Sequence, residues 1–320
     1  MVGVIEAKPV ALRQAATLRT WRRDDFEAVW NRADRMLKQP RAVLEQIAPG
    51  ALLGTLFYQN STRTRISFEA AAHRIGGASI GFSDVSTTRA GDFYQESLED
   101  TVRVIGEYAD VLVLRHTEDD AAERAAAVSP VPVISAGCGD REHPTQTLLD
   151  LWVLRSKLGK LDGAVIGYAG DPACRATRSL VHALIAVNAA ELVFLPPPGA
   201  SFPDDIVRTM GEGGLAWRTV DDAARLMEEA DAVSVIPFEL SDFHQPAVRD
   251  HFRSERLDSR YVFDRELLAR WPGVPVVHAG PRGPELPPGT DSLPNAHYFE
   301  SVRRSVILRA ALMAELLGRP

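Results

Sequence analysis

Ala51-Leu52-Leu53-Gly54-Thr55-Leu56-Phe57-Tyr58, followed two residues later by Ser61-Thr62-Arg63-Thr64-Arg65, is the stretch from which the fold is read. Its first part is a short apolar run of the kind that forms a buried strand. Over residues 66–75 apolar and small side chains recur at helical spacing. Ser61 and Thr62 suit the N-cap of that helix. A helix N-terminus carries unpaired N–H groups and a partial positive charge. Two guanidinium groups in the same turn oppose that dipole and cost stability unless an anion meets them. Cap residues with solvated arginines are the plainer reading, and the doubled arginine weighs against it. The stretch predicts an anion site suited to phosphate.

The strand-then-helix alternation continues outward. Residues 21–38 have helical spacing, with Phe26, Val29, Trp30, Ala33 and Met36 on one side. Strands are expected at 78–85, 110–116 and 131–136, and helices at 97–108 and 119–128. Ser86-Thr87-Thr88-Arg89-Ala90-Gly91-Asp92 reads as an exposed loop. His143-Pro144-Thr145-Gln146 opens a helix that runs over 147–158, is closed by Gly159, and should bridge two domains. The second half repeats the layout: strands at 164–170, 192–195, 232–236 and 274–277, helices at 174–187, 204–210 and 222–229, and a polar loop at 249–260. An apolar helix at 299–317 closes the chain.

Such alternation predicts an α/β fold: two doubly wound parallel-sheet domains joined by interdomain helices. The expected division is 1–145, completed by the C-terminal helix 299–318, and 146–298. Ligands in these sheets sit beyond the carboxyl ends of strands. Ser61, Arg115 and the segment after Gly139 all follow strand ends, so they should converge on one crevice.

At 320 residues the chain exceeds what one core usually serves. A net charge of −7 argues against nucleic acid as a partner, so any positive site is local. No apolar run approaches the ~20 residues of a membrane span, and residues 1–12 lack a signal-peptide layout. Two cysteines, Cys138 and Cys174, make no disulfide framework and read as buried thiols in a reducing cytoplasm. Gly167-Tyr168-Ala169-Gly170-Asp171 lacks the full dinucleotide spacing.

Ser61-Thr62-Arg63-Thr64-Arg65, Arg115-His116 after a strand, and His143-Pro144-Thr145-Gln146 opening a helix, in that order, resemble the aspartate/ornithine carbamoyltransferase family. Gly81-Phe82-Ser83-Asp84 and the run from His143 through Leu151 look like its aspartate branch. The resemblance implies transfer of a carbamoyl group from carbamoyl phosphate to a small amine or amino acid, with no metal and no organic cofactor. It implies a homotrimer with shared active sites, in which the loop around 86–96 reaches into a neighbour. By the same resemblance Ser61, Thr62, Arg63 and Thr64 hold the phosphate. Arg115 and His143, helped by Thr64, polarise the carbonyl, and Gln146 and the Gly280 backbone receive the carbamoyl nitrogen. Arg175, or alternatively Arg178, takes the acceptor's carboxylate. Arg65 is expected to pair with Glu69, and His116 to be structural.

Three departures separate this chain from the aspartate branch. The loop lysine is missing from Arg89-Ala90-Gly91-Asp92-Phe93-Tyr94-Gln95-Glu96, where Arg89 or Gln95 would substitute. Val235-Ile236-Pro237-Phe238-Glu239 has no arginine and offers Glu239 instead. Val277-His278-Ala279-Gly280-Pro281-Arg282 loses an apolar side chain at Gly280. The expectation is therefore a carbamoyltransferase with an altered acceptor site. The alternatives are an aspartate enzyme using Arg89, Arg249 or Arg253, and a non-catalytic relative that binds a phosphorylated metabolite.

Overall fold

A computed structural model describes residues 14–238 and 257–319 of the chain. Among the described residues, nine parallel strands form two sheets. The first has four: β1 (Leu52–Phe57), β2 (Ala78–Phe82), β3 (Val111–His116) and β4 (Val133–Cys138), in the order β2-β1-β3-β4. The second has five: β5 (Val165–Ala169), β6 (Glu191–Leu195), β7 (Ala216–Thr219), β8 (Ala232–Val235) and β9 (Val276–His278), in the order β7-β6-β5-β8-β9. The first sheet reverses direction of growth between β1 and β3, the second between β5 and β8. Those are the switch points at which doubly wound sheets open a crevice.

The helices are α1 (Arg23–Leu37), α2 (Arg41–Leu44), α3 (Thr62–Arg74), α4 (Leu98–Gly106), α5 (Ala121–Val128), α6 (Pro144–Leu158), α7 (Arg175–Ala186), α8 (Asp204–Glu212), α9 (Ala223–Glu229), α10 (Arg265–Arg270) and α11 (Tyr298–Leu316). One apolar cluster under β3 and β4 packs Leu98 and Val102 of α4 and Ala121 and Ala125 of α5. Another, under the second sheet, gathers Leu226, Met227, Val233, Phe263 and Leu268. The largest is continuous between the two sheets and includes Trp30, Phe57, Phe68, Trp152, Tyr168, Phe194 and Leu308. Each fully buried side chain of this size contributes roughly 1.5–3 kcal/mol, so the shared cluster ties the two sheets together.

Helix α6 leaves β4 and enters the second sheet's half, and it is buried almost all round from Pro144 to Leu154. Pro144 at its first position needs no N–H partner and presets φ for the helix. Trp30 Nε1 donates to the Leu148 carbonyl at 2.9 Å, and Trp152 Nε1 to Asp34 at 2.9 Å. Helix α11 returns from the second half and packs on α1, α3 and α6. No described helix is long and apolar enough to cross a membrane. Short α2, edge strand β7 and α10 were not expected from the sequence. Four residues give α2 no periodicity, and β7 is mostly exposed, so it lacks a burial signature.

Candidate active site

Elements at both switch points enclose a cavity of about 480 Å³. Asn60, Ser61, Thr62, Arg63 and Thr64 line it from the β1–α3 junction, and Arg115 from β3. Asp140, His143 and Gln146 come from the end of β4 and the start of α6. The second half contributes Cys174, Arg175 and Ala176, then Ile236 and Pro237 after β8, then Ala279, Gly280 and Pro281 after β9. Three guanidinium groups and one carboxylate, Asp140, thus face one space.

The anion stretch folds as its composition predicts, with one difference. Ser61 is the N-cap of α3 in an extended conformation (φ −156°, ψ 104°), but its side chain makes no capping bond. The hydroxyl is therefore left for the cavity instead of being spent on the helix. Arg65 turns away and pairs with Glu69 at 2.8 Å, which leaves Arg63 as the guanidinium on the cavity side.

Arg115 Nη1 donates to the Ala136 carbonyl at 3.1 Å, while its buried Nε has no partner. Burial, together with Arg175 and Arg63, lowers its guanidinium to about 9. Arg175 Nη1 donates to the Gly139 carbonyl at 3.1 Å, and burial lowers this group as well. The repulsion that Arg175 and Arg63 exert on the desolvated Arg115 is relieved by an anion, so its depressed value marks the site as electropositive.

His143 sits between the halves. Its backbone N–H donates to Ser179 Oγ of α7 at 2.7 Å. The preceding Glu142 is buried and accepts from Thr17 Oγ1 and, at 2.8 Å, from the Leu18 N–H. Those bonds pin the chain on which the imidazole is mounted. Burial, then Arg175, Arg115 and Arg309, hold His143 well below its ordinary value, so the ring is neutral at pH 7. Its Nδ1 is buried without a partner.

Gly280 adopts φ 68°, and a Cβ there would lie 3.1 Å from both Arg63 Nε and Tyr298 OH. Only glycine combines that conformation with that closeness. Its N–H donates to His278 Nδ1 at 2.8 Å, so the group it can still offer a ligand is its carbonyl.

Two expected acceptor residues are placed elsewhere. Arg178 pairs with Asp205 and lines a separate groove with Arg19, Arg141 and His182. The cavity meets α7 at its N-terminus, at Cys174, Arg175 and Ala176, and Arg178 stands one turn further along the helix. Arg89 pairs with Asp92 at 2.7 Å and lies 4.7 Å from the centre of the Tyr94 ring on an exposed loop; it lies off its own subunit's cavity, as a residue of a loop expected to reach into a neighbour would. Glu239, Arg249 and Arg253 lie outside the described residues. Sequence reasoning missed Asn60, Asp140 and Ala279, which adjoin recognised motifs, and Glu142, whose role depends on a segment far away in sequence. No group of three or more His, Cys, Asp or Glu side chains among the described residues could hold a metal ion.

Residues 13–156 match the family description "Aspartate/ornithine carbamoyltransferase, carbamoyl-P binding domain". The aspartate carbamoyltransferase catalytic subunit of Thermococcus gammatolerans is 37% identical over 96% of this chain and 98% of its own length. The catalytic subunit of M. Jannaschii aspartate transcarbamoylase superposes with a TM-score of 0.84 at 31% identity, covering 96% of this chain and 98% of that one. Aspartate transcarbamoylase from Trypanosoma cruzi, in complex with carbamoyl phosphate and aspartate, gives 0.83 at 28% identity and covers 95% of each chain.

Proposed function

We propose, for a chain that belongs to the aspartate/ornithine carbamoyltransferase family and is therefore a carbamoyltransferase, that it moves the carbamoyl group of carbamoyl phosphate onto the amino group of L-aspartate. The observation that carries this reading is the convergence of Ser61–Thr64, Arg115, His143, Gln146 and Arg175 on one cavity from both sheets.

In this reading the α3 N-terminus, the Ser61, Thr62 and Thr64 hydroxyls and Arg63 hold the phosphate. Arg115 and the neutral His143 imidazole donate to the carbonyl oxygen. With Nδ1 sealed in the protein, Nε2–H is the donor left for the substrate. Gln146 and the Gly280 carbonyl accept from the carbamoyl NH₂. The acceptor amine attacks the carbonyl carbon, negative charge collects on its oxygen, and the bond from that carbon to the phosphate oxygen breaks. The departing phosphate takes the proton shed by the amine. One well-aimed donor to such an oxyanion is typically worth ~2.7–4 kcal/mol in the barrier. Holding both reactants in line contributes on the order of 7–11 kcal/mol in well-oriented systems.

Arg175 would take the acceptor's α-carboxylate. The expected altered acceptor is corrected to L-aspartate, because relatives matched along nearly the whole chain are named for aspartate. One observation favours another amine: among the described residues, the cavity wall at Ile236 and Pro237 carries no cation. We assign residues up to about 145, with α11 packed on them, to the donor half. A homotrimer sharing its sites through the 86–96 loop is supported by Phe93, 95% exposed, and Tyr94, 71% exposed, which form an edge-on pair there.

The deciding assay offers carbamoyl phosphate with a panel of amines including L-aspartate and L-ornithine. N-carbamoyl-L-aspartate should be the main product. Arg175→Ala should raise the KM for aspartate roughly 10- to 100-fold, the worth of a charge-assisted hydrogen bond, with little change for carbamoyl phosphate. Turnover with another amine and none with aspartate would refute the acceptor assignment.

A further inference from the structure

Gln146 and Asp150 stand on the same face of α6, four residues apart. Gln146 Nε2 donates to Asp150 Oδ1 at 2.8 Å. Gln146 borders the cavity, while Asp150 lies beneath it, 5% exposed. The cation acting on Asp150 is Arg309 of α11, 3% exposed and stacked 5.2 Å from the centre of the Phe68 ring.

The two ends of a glutamine amide are nearly identical in shape and opposite in hydrogen bonding. A free glutamine could turn either end toward a ligand. An ionised carboxylate only accepts, so it takes the NH₂ end and leaves the oxygen pointing the other way. Burial works against the ionised form, and the Gln146 amide and Arg309 favour it, so above neutral pH the carboxylate is an acceptor only. The orientation of Gln146 is thus set by a residue that itself never reaches the cavity.

We propose that Asp150 is a positioning residue that sets donor specificity: by engaging the Gln146 amide nitrogen it turns the amide oxygen toward the pocket, which then selects an acyl phosphate bearing NH₂ over its methyl-bearing isostere. The inference rests on the carbamoyl-transfer reading above. Carbamoyl phosphate presents two N–H donors where acetyl phosphate presents a methyl group. A fixed acceptor stabilises the first and is left unpaired and desolvated against the second. Asn at position 150 can present either its oxygen or its NH₂ to Gln146, so the amide would populate both orientations.

The test measures, at about pH 8.5, where the carboxylate is ionised, kcat/KM for carbamoyl phosphate and for acetyl phosphate with the same acceptor, in the full-length wild type and in Asp150→Asn. The ratio should fall about tenfold in the variant, the equivalent of one ordinary hydrogen bond. A purely structural role for Asp150 would lower both activities together; an unchanged ratio overturns the inference even if kcat drops. Gln146→Met, which needs no partner at 150, provides a second arm if Asp150→Asn does not fold. It too should lose the selectivity, and a wild-type ratio in Gln146→Met would overturn the proposal. A wild type that transfers acetyl but no carbamoyl groups would instead refute the carbamoyl-transfer reading.

Discussion

His278 Nε2 and Glu285 Oε1 lie 2.8 Å apart with both side chains fully buried. The Gly280 N–H donates to His278 Nδ1, so that nitrogen is an acceptor and Nε2 carries the proton. Burial lowers His278, against the pull of Glu285, in keeping with a neutral ring. Glu285 Oε1 also accepts from the Gly283 N–H at 2.6 Å. The pair closes the turn that presents Gly280 to the cavity.

Removing the carboxylate strands two buried donors at once. Glu285→Ala should therefore destabilise the protein by on the order of 3 kcal/mol and raise the KM for carbamoyl phosphate. Glu285→Gln keeps an acceptor oxygen and should cost less. Urea unfolding of both variants checks this, and an equal or reversed order would contradict the assignment.

His143 should act as a neutral donor throughout the working range. His143→Ala should lower kcat by roughly 10²–10³ and leave the urea midpoint close to wild type. An acid limb near pH 6.5 in the wild-type kcat profile that vanishes in His143→Asn would show that the ring titrates there, against its burial among three arginines.

Asp150 is pushed up to about 7 from its ordinary 3.8, chiefly by burial, with Gln146 and Arg309 opposing. A carboxyl raised on folding contributes stability that is whole below its unfolded value and is lost as pH climbs through the folded one. Wild type should lose that contribution between about pH 4 and 7, whereas Asp150→Asn has no proton to lose. Relative to wild type, the variant should gain on the order of 2 kcal/mol between pH 5 and pH 8. Urea melts at the two values, at matched ionic strength, decide it; a pH-independent difference would be the contrary result.

Phe93 is the most exposed large apolar side chain among the described residues, and Tyr94 packs edge-on against it. Phe93→Glu should weaken self-association, seen as a smaller particle by light scattering, and lower activity with it. Unchanged assembly would remove the loop from the subunit interface.

The alternating strands and helices, the crevice at the strand ends and the Ser61–Thr64, Arg115, His143 and Gln146 set were all legible in the chain. Each is written locally: a strand shows as an apolar run, a helix as a spacing, a phosphate cradle as hydroxyls and arginines at a helix start. Arg65 with Glu69 was legible for the same reason, being one turn of one helix. Arg175 and Arg178 share one face of α7, so spacing could not say that the cavity meets only the first turn of that helix and that Arg178 pairs with Asp205.

The sequence by itself determined the fold class, the hydroxyl- and arginine-rich turn at the start of α3 and the family, because short-range patterns specify each of them. Only the tertiary structure decided that the Ser61 hydroxyl stays out of the cap, that Glu142 anchors the His143 segment on residues 17–18, and that Asp150 takes the Gln146 amide with Arg309 nearby. It also put Arg175 on the cavity and Arg178 on a separate groove, and spent the Gly280 N–H on His278. What a polar group in this site does depends on which partners burial leaves it, and those partners come from elements far apart in the chain.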